Sequence, residues 1–217
     1  MSTSRVKFYW ESLGEHYRFS PDKQYLIYYR GCFCPPHRGH FNTIADFTYL
    51  PNAKFFIHQG GRQKRHGVPY ELSRKIWKIY INELLPSDRF ILMGRGSNQA
   101  NDMADHPFTQ EADTIVFIAG NENYDPKEKE MEDRKYGYAE IFNKLLMRNK
   151  EIIFLYLDRP QQNILSATQL SSNIQANRHY SFRDGRKYQI LRPFFPENLS
   201  NASVRYITRK LEECDLH

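Results

Sequence analysis

Five short apolar runs, dense in β-branched and aromatic residues and separated by stretches with helical spacing, constrain this chain most. They are 25–29 (YLIYY), 54–58 (KFFIH), 89–93 (RFILM), 114–119 (TIVFIA) and 151–157 (EIIFLYL). Most are continuous rather than alternating, which is how strands covered on both faces read. Between them the period changes. Leu72, Ile76, Ile79 and Tyr80 share one helical face, and residues 138–147 and 203–211 follow the same spacing. Strand and helix in alternation predict an α/β fold, a doubly wound parallel sheet of five strands with helices on both faces. Residues 1–23 read as a short N-terminal extension and 24–217 as one domain. Residues 95–113 read as a long loop. In such a sheet ligands bind beyond the carboxyl ends of the strands. Chemistry is therefore expected just after Tyr29, Met93, Ala119 and Leu157.

The chain's 217 residues are of one-domain length, and a core of that size buries roughly 70% of the unfolded surface without covalent staples. Mean hydropathy is −0.72, and no apolar run approaches the ~20 residues of a bilayer span. The opening residues lack the apolar stretch of a signal peptide. Three cysteines, with Cys32 and Cys34 only two apart, make no disulfide framework. A membrane span, a secreted disulfide knot and a disordered tail are excluded, and a reducing, cytoplasmic setting is expected. The net charge of +6, from 31 Lys and Arg against 25 Asp and Glu, favours anionic partners such as nucleotides. The basic residues form no long block, which ranks nucleic acid below small nucleotides. Fifteen Tyr and fifteen Phe serve core packing before base stacking.

After the first run the sequence reads Gly31-Cys32-Phe33-Cys34-Pro35-Pro36-His37-Arg38-Gly39-His40. A glycine at a strand end lets backbone approach a ligand, and prolines stiffen the entry to a helix. A helix beginning here points free N–H groups at a bound anion. His37 and His40, three apart, would share one helical face, with Gly39 removing bulk between them. Two imidazoles donating from ring nitrogens can hold phosphate oxygens whose charge grows in a phosphoryl-transfer transition state.

These residues resemble the nucleotidyltransferases that carry a G-x-F-x-P-x-H-x-G-H signature: Gly31, Phe33, Pro35, His37, Gly39 and His40 match every fixed position. The resemblance implies a Rossmann-like, doubly wound sheet and transfer of a nucleotidyl group from a nucleoside triphosphate to a phosphorylated acceptor, with pyrophosphate leaving. It makes His37 and His40 the catalytic pair and implies nucleotide binding by Gly31, Cys32, Phe33 and Gly39. Gly120, Asn121, Glu122 and Asn123 resemble the family's Gly-x-Asp-Asn nucleoside turn, with Glu122 in place of Asp. Leu165 to Ser171 (LSATQLS) resembles its I-S-S-T-x-I-R signature, which sets Ser166 and Thr168 against the triphosphate but puts Ser171 where the family has Arg. A second copy at 199–205 (LSNASVR) keeps the arginine as Arg205 and loses the threonine. Lys64 and Arg65, in the loop after the second run, stand where related enzymes grip phosphates. In keeping Pro35 the segment resembles the family's nicotinamide mononucleotide adenylyltransferases most, which implies ATP and nicotinamide or nicotinate mononucleotide as substrates, with Mg2+ held largely by the substrate. No protein ligand to a metal is assigned.

Plainer readings compete with each of these. Two cysteines and two histidines within nine residues also suit structural zinc, although Cys-x-Cys is tighter than usual zinc spacing. The basic loop also reads as solvated surface, the Ser-Ala-Thr segment as an ordinary helix cap, and Trp77 with Tyr80 as core. Another adenylyl or cytidylyl acceptor is the alternative within the class. A non-catalytic nucleotide- or RNA-binding protein on the same fold is the alternative outside it.

Overall fold

The computed structural model describes residues 6–60, 64–65, 67–93, 103–120, 126–132, 139–158, 165–214 and 216. Six strands form the main sheet: β1 (Val6–Trp10), β2 (Tyr25–Gly31), β3 (Ala53–Gln59), β6 (Phe90–Met93), β7 (Thr114–Gly120) and β8 (Glu151–Leu157). Their order is β1-β8-β7-β2-β3-β6, while β4 (Lys64–Arg65) and β5 (Val68–Pro69) make a separate antiparallel pair. Strands β1, β8, β7 and β2 run parallel. The winding reverses beside β2, the strand that ends at Gly31. The helices are α1 (Arg38–Ala45), α2 (Tyr70–Leu84), α3 (Pro107–Glu111), α4 (Pro126–Glu132), α5 (Ala139–Met147), α6 (Ala167–Ala176), α7 (Arg186–Leu191) and α8 (Asn201–Glu212). Among the described residues no helix is long and apolar enough to cross a membrane.

The doubly wound α/β expectation holds, with two differences. The sheet has six strands rather than five, because residues 6–10 pair along β8 instead of standing outside the fold as an extension. Their sequence, VKFYW, is interrupted by exposed Lys7, and only Trp10 is buried, so it does not read as a run covered on both faces. Within the 95–113 stretch, Pro107 opens α3, capped by His106, whose Nδ1 accepts from Phe108 N–H. Residues 94–102 lie outside the described residues.

The chain divides into two compact units. The first comprises residues 1–30, 50–58 and 93–161. Its strands are buried in continuous runs, with Leu26, Ile27, Phe55, Phe56, Ile115, Val116, Ile152 and Ile153 inaccessible to solvent. Rings bind β1 to its neighbours: Phe8 stacks on Phe154 at 4.9 Å, and Trp10 on Tyr156 at 3.8 Å. At the start of β8, Glu151 accepts from both Lys7 and Lys23 at 2.7 Å. Burial pushes its carboxyl up, but hydrogen bonds and charge from Lys23 and Lys7 more than offset this and hold it at about 2. Because the folded value lies below the unfolded 4.5, the contribution is full above that pH and lost as pH falls toward 2. Glu151→Gln should therefore cost about 1–2 kcal/mol at neutral pH, the half-exposed lysines moderating it. The deficit should vanish on acidification, which thermal unfolding followed against pH will show.

The second unit comprises residues 31–49, 59–92 and 162–217. Helix α2 turns Tyr70, Ser73, Ile76, Trp77, Tyr80 and Ile81 inward, the stripe expected of an amphipathic helix. Helix α8 does the same with Val204, Ile207, Thr208 and Leu211, and packs on α6 and α2.

Candidate active site

The segment leaving β2 is shaped by packing within the second unit. Gly60 N–H donates to Gly31 O at 3.0 Å, tying the two strand exits together. At Phe33 the backbone enters the left-handed region, φ 47°, a costly conformation that a bulky residue keeps only where its surroundings fix it. They do: the Phe33 ring is buried edge-on against Trp77 at 5.3 Å and His40 at 5.0 Å. The turn folds that ring back over Gly31, where a Cβ would stand 2.5 Å from Phe33 Cε1. With Phe33 wedged, Gly31→Ala should cost about 1–3 kcal/mol by overpacking, lowering the melting temperature by roughly 2–4 °C per kcal/mol.

The next residues are pinned in the same way. Cys34 Sγ donates to Cys32 O at 2.9 Å, and Gln59 Nε2 reaches Cys34 Sγ at 3.8 Å and Tyr70 O at 3.4 Å. The Cys34–Pro35 peptide is cis. Tyr80 donates its hydroxyl to Pro36 O at 3.2 Å from the core of α2, where burial pushes the phenol well above its ordinary range. Among the described residues no three His, Cys, Asp or Glu side chains gather as a metal-holding group.

His37 and His40 do not share a helical face. His37 is the N-cap of α1 and His40 its third residue, and together they close a reciprocal capping box. Gly39 N–H donates to His37 Nδ1 at 3.1 Å, and His37 N–H donates to His40 Nδ1 at 3.4 Å. The rings lie 3.9 Å apart, inclined at 35°. A backbone N–H can only donate, so each Nδ1 is an acceptor and each neutral ring carries its proton on Nε2. The two side chains are thus held as Nε2 donors at a helix N-terminus, where the dipole favours an anion. Gly39 leaves room beside them, since a Cβ there would lie 3.0 Å from His37 Cε1 and press on the ring.

Two helix N-termini competed in the sequence for the triphosphate signature, and the structure separates them. The same Gly39 Cβ would lie 3.8 Å from Leu165 O, so the start of α6 stands next to the imidazoles. Ser166 caps that helix, accepting from Gln169 N–H at 3.1 Å while Gln169 Oε1 accepts from Ser166 N–H. Thr168 is exposed in its first turn. Ser171 faces the interior, 3% exposed, with no partner for Oγ. At the start of α8 a protein carboxylate already sits in the anion position. Glu83 accepts from Ser200 N–H at 3.2 Å and from the Ser203 hydroxyl, and although burial pushes its carboxyl up, these bonds hold it below the usual range. Arg205 is exposed on α8.

The remaining predicted positions are less informative. Gly120 ends β7 in the first unit, and Asn121 and Asn123 lie outside the described residues. The backbone of Lys64 and Arg65 forms β4. Sequence reasoning missed Gln59 and Glu83. Gln59 had a signal, a polar residue directly after a buried strand; Glu83 had none, because its partners are more than a hundred residues away.

No family model and no curated protein matches the sequence. Among solved structures the chain is similar to the Plasmodium falciparum nicotinic acid mononucleotide adenylyltransferase complexed with NaAD, at 10% identity over 89% of this chain and 100% of that one, TM-score 0.47. It is similar to a putative nicotinate-nucleotide adenylyltransferase from Vibrio parahaemolyticus, at 12% identity over 70% and 82%, TM-score 0.43. It is also similar to Thermotoga maritima TmcAL bound with alpha-thio ATP, at 14% identity over 88% and 56%, TM-score 0.48. At such identities and scores these likenesses say nothing of the site.

Proposed function

We propose that the chain is a nucleotidyltransferase that moves AMP from ATP onto a phosphorylated acceptor, nicotinamide or nicotinate mononucleotide, and releases pyrophosphate. The observation that carries this reading is the imidazole pair, 3.9 Å apart and aligned by backbone N–H groups, beside the start of α6. An acceptor phosphate oxygen attacks the α-phosphorus, the bond from that phosphorus to the bridging oxygen breaks, and pyrophosphate leaves with the electron pair. The Nε2 protons of His37 and His40 stabilise the growing charge on the phosphate oxygens. Gly31, Cys32, Phe33 and Gly39 frame the nucleoside. Ser166 and Thr168 hold the outer phosphates, with Lys64, Arg65 and Arg205 as supplementary cations. Mg2+ carried by the triphosphate would neutralise charge between phosphates. Catalysis is then positioning and charge stabilisation, without a covalent enzyme intermediate.

One observation favours a different reading. Ser171 is buried where the family pattern places an arginine, which fits a nucleotide-binding protein without turnover. Pyrophosphate release, measured with ATP or CTP against a panel of phosphorylated acceptors, separates the two. Release with ATP and a pyridine mononucleotide is the expected result. Release with another pair moves only the acceptor, and nucleotide binding without release overturns the enzymatic reading.

A further inference from the structure

The charge of this chain is unevenly distributed. Between Asp158 and Glu197 there are six basic residues, Arg159, Arg178, Arg183, Arg186, Lys187 and Arg192, against one acidic residue, Asp184. Nearly the whole excess of +6 therefore falls in one stretch. Residues 177–192 of that stretch follow α6 in the second unit and fold as a short 3-10 turn (Phe182–Asp184) leading into α7.

The basic side chains there are interleaved with rings. His179 lies against Tyr180, centroids 4.0 Å apart, and the Arg186 guanidinium sits 4.3 Å over the Tyr180 ring. His179, Arg183 and Arg186 are exposed. Beneath them Lys187, 3% exposed, pairs with Glu212, donates to Arg178 O at 3.3 Å and lies 5.4 Å from the Phe182 ring. The carboxylate of Glu212 is thereby consumed. Arg178 donates to the carbonyls of Glu212 and Cys214 at 2.9 and 2.6 Å, closing the end of α8. The result is a fixed base carrying an outward layer of imidazole, phenol and guanidinium.

We infer that this face binds single-stranded nucleic acid, independently of the proposed nucleotidyl transfer. A phosphate chain supplies the regularly spaced negative charge that Arg183 and Arg186 match. Imidazole and guanidinium planes stack on unpaired bases, a contact every base can make. An anionic membrane would match the charge alone. It would leave the ordered His179, Tyr180 and Arg186 stack without a role.

The test is fluorescence anisotropy on the full chain with short labelled single-stranded RNA, the same sequence in DNA, a duplex of it, and phosphatidylserine vesicles in a sedimentation arm. Single strands of either sugar should bind more tightly than duplex, with affinity falling steeply between about 50 and 200 mM salt. The stronger of the RNA and DNA arms identifies the sugar. The double variant Arg183→Glu, Arg186→Glu should weaken binding at least tenfold and lower the salt slope by about one to two. Tyr180→Ala should weaken it about tenfold with the slope unchanged. Both arginines are exposed, so the double variant should keep the parent's circular dichroism. The inference is overturned if single strands do not bind at about 50 mM salt, if the double variant binds as the parent does, if duplex is preferred, or if vesicles bind and oligonucleotides do not.

Discussion

His40→Gln should keep the fold and slow pyrophosphate release by about a hundred- to a thousandfold, the range measured when one transition-state donor is removed from a preorganised site. The choice of glutamine follows from the local geometry. His40 occupies the third position of α1 and closes the capping box by accepting His37 N–H. Glutamine is a favoured residue at that position because its side-chain oxygen makes the same bond. What the substitution removes is the second imidazole. His40→Ala removes both, and should also lose about 1 kcal/mol of stability with the cap. Initial rates and melting temperatures measured side by side on the two variants separate the chemical role from the structural one. Equal losses of stability in both would mean the geometric account of the cap is wrong.

Trp77→Ala should destabilise the chain by about 3–5 kcal/mol, lowering the melting temperature by roughly 6–20 °C. Trp77 is fully buried on α2, between the Phe33 ring at 5.3 Å and the Tyr80 ring at 5.9 Å. Its loss leaves a cavity and also frees Phe33, whose φ of 47° is held by that packing. The His40 ring, edge-on to Phe33, loses its wall in turn. Activity should therefore fall more than a global stability loss predicts, when measured well below the midpoint. Trp77→Phe should restore most of the stability by refilling the space. Thermal unfolding and pyrophosphate release on both variants check this, and a Trp77→Ala protein as active as the parent would sever the link from α2 to the histidines.

The parts of this account legible in the sequence are those with a period or a fixed spacing. Buried strands β2, β3, β7 and β8 showed as unbroken apolar runs, and α2, α5 and α8 as helical stripes. β1 did not, since exposed Lys7 interrupts its apolar residues and Trp10 is its only buried position. The ten-residue segment from Gly31 to His40 was readable as a turn from a strand into a helix, but its inner geometry was not. That His37 caps α1 rather than riding on it depends on where the helix starts, which Pro35 and Pro36 leave open by a residue or two. That the α8 N-terminus is occupied was hidden too: Glu83 sits on a distant helix that no local pattern connects to Ser200 and Ser203. Ser171 reads as a missing arginine in the sequence and as an inward-facing core position in the fold.

The central claim, that the imidazole pair and the start of α6 direct attack on an α-phosphorus, is tested most directly by following labelled ATP. With label on the α-phosphate, magnesium and nicotinamide or nicotinate mononucleotide, the account predicts that label enters a dinucleotide product. Label on the γ-phosphate should leave as pyrophosphate, and His40→Gln should suppress both. Label released as free phosphate from the γ position, or α-label that stays in ATP while the protein binds it, would contradict the account.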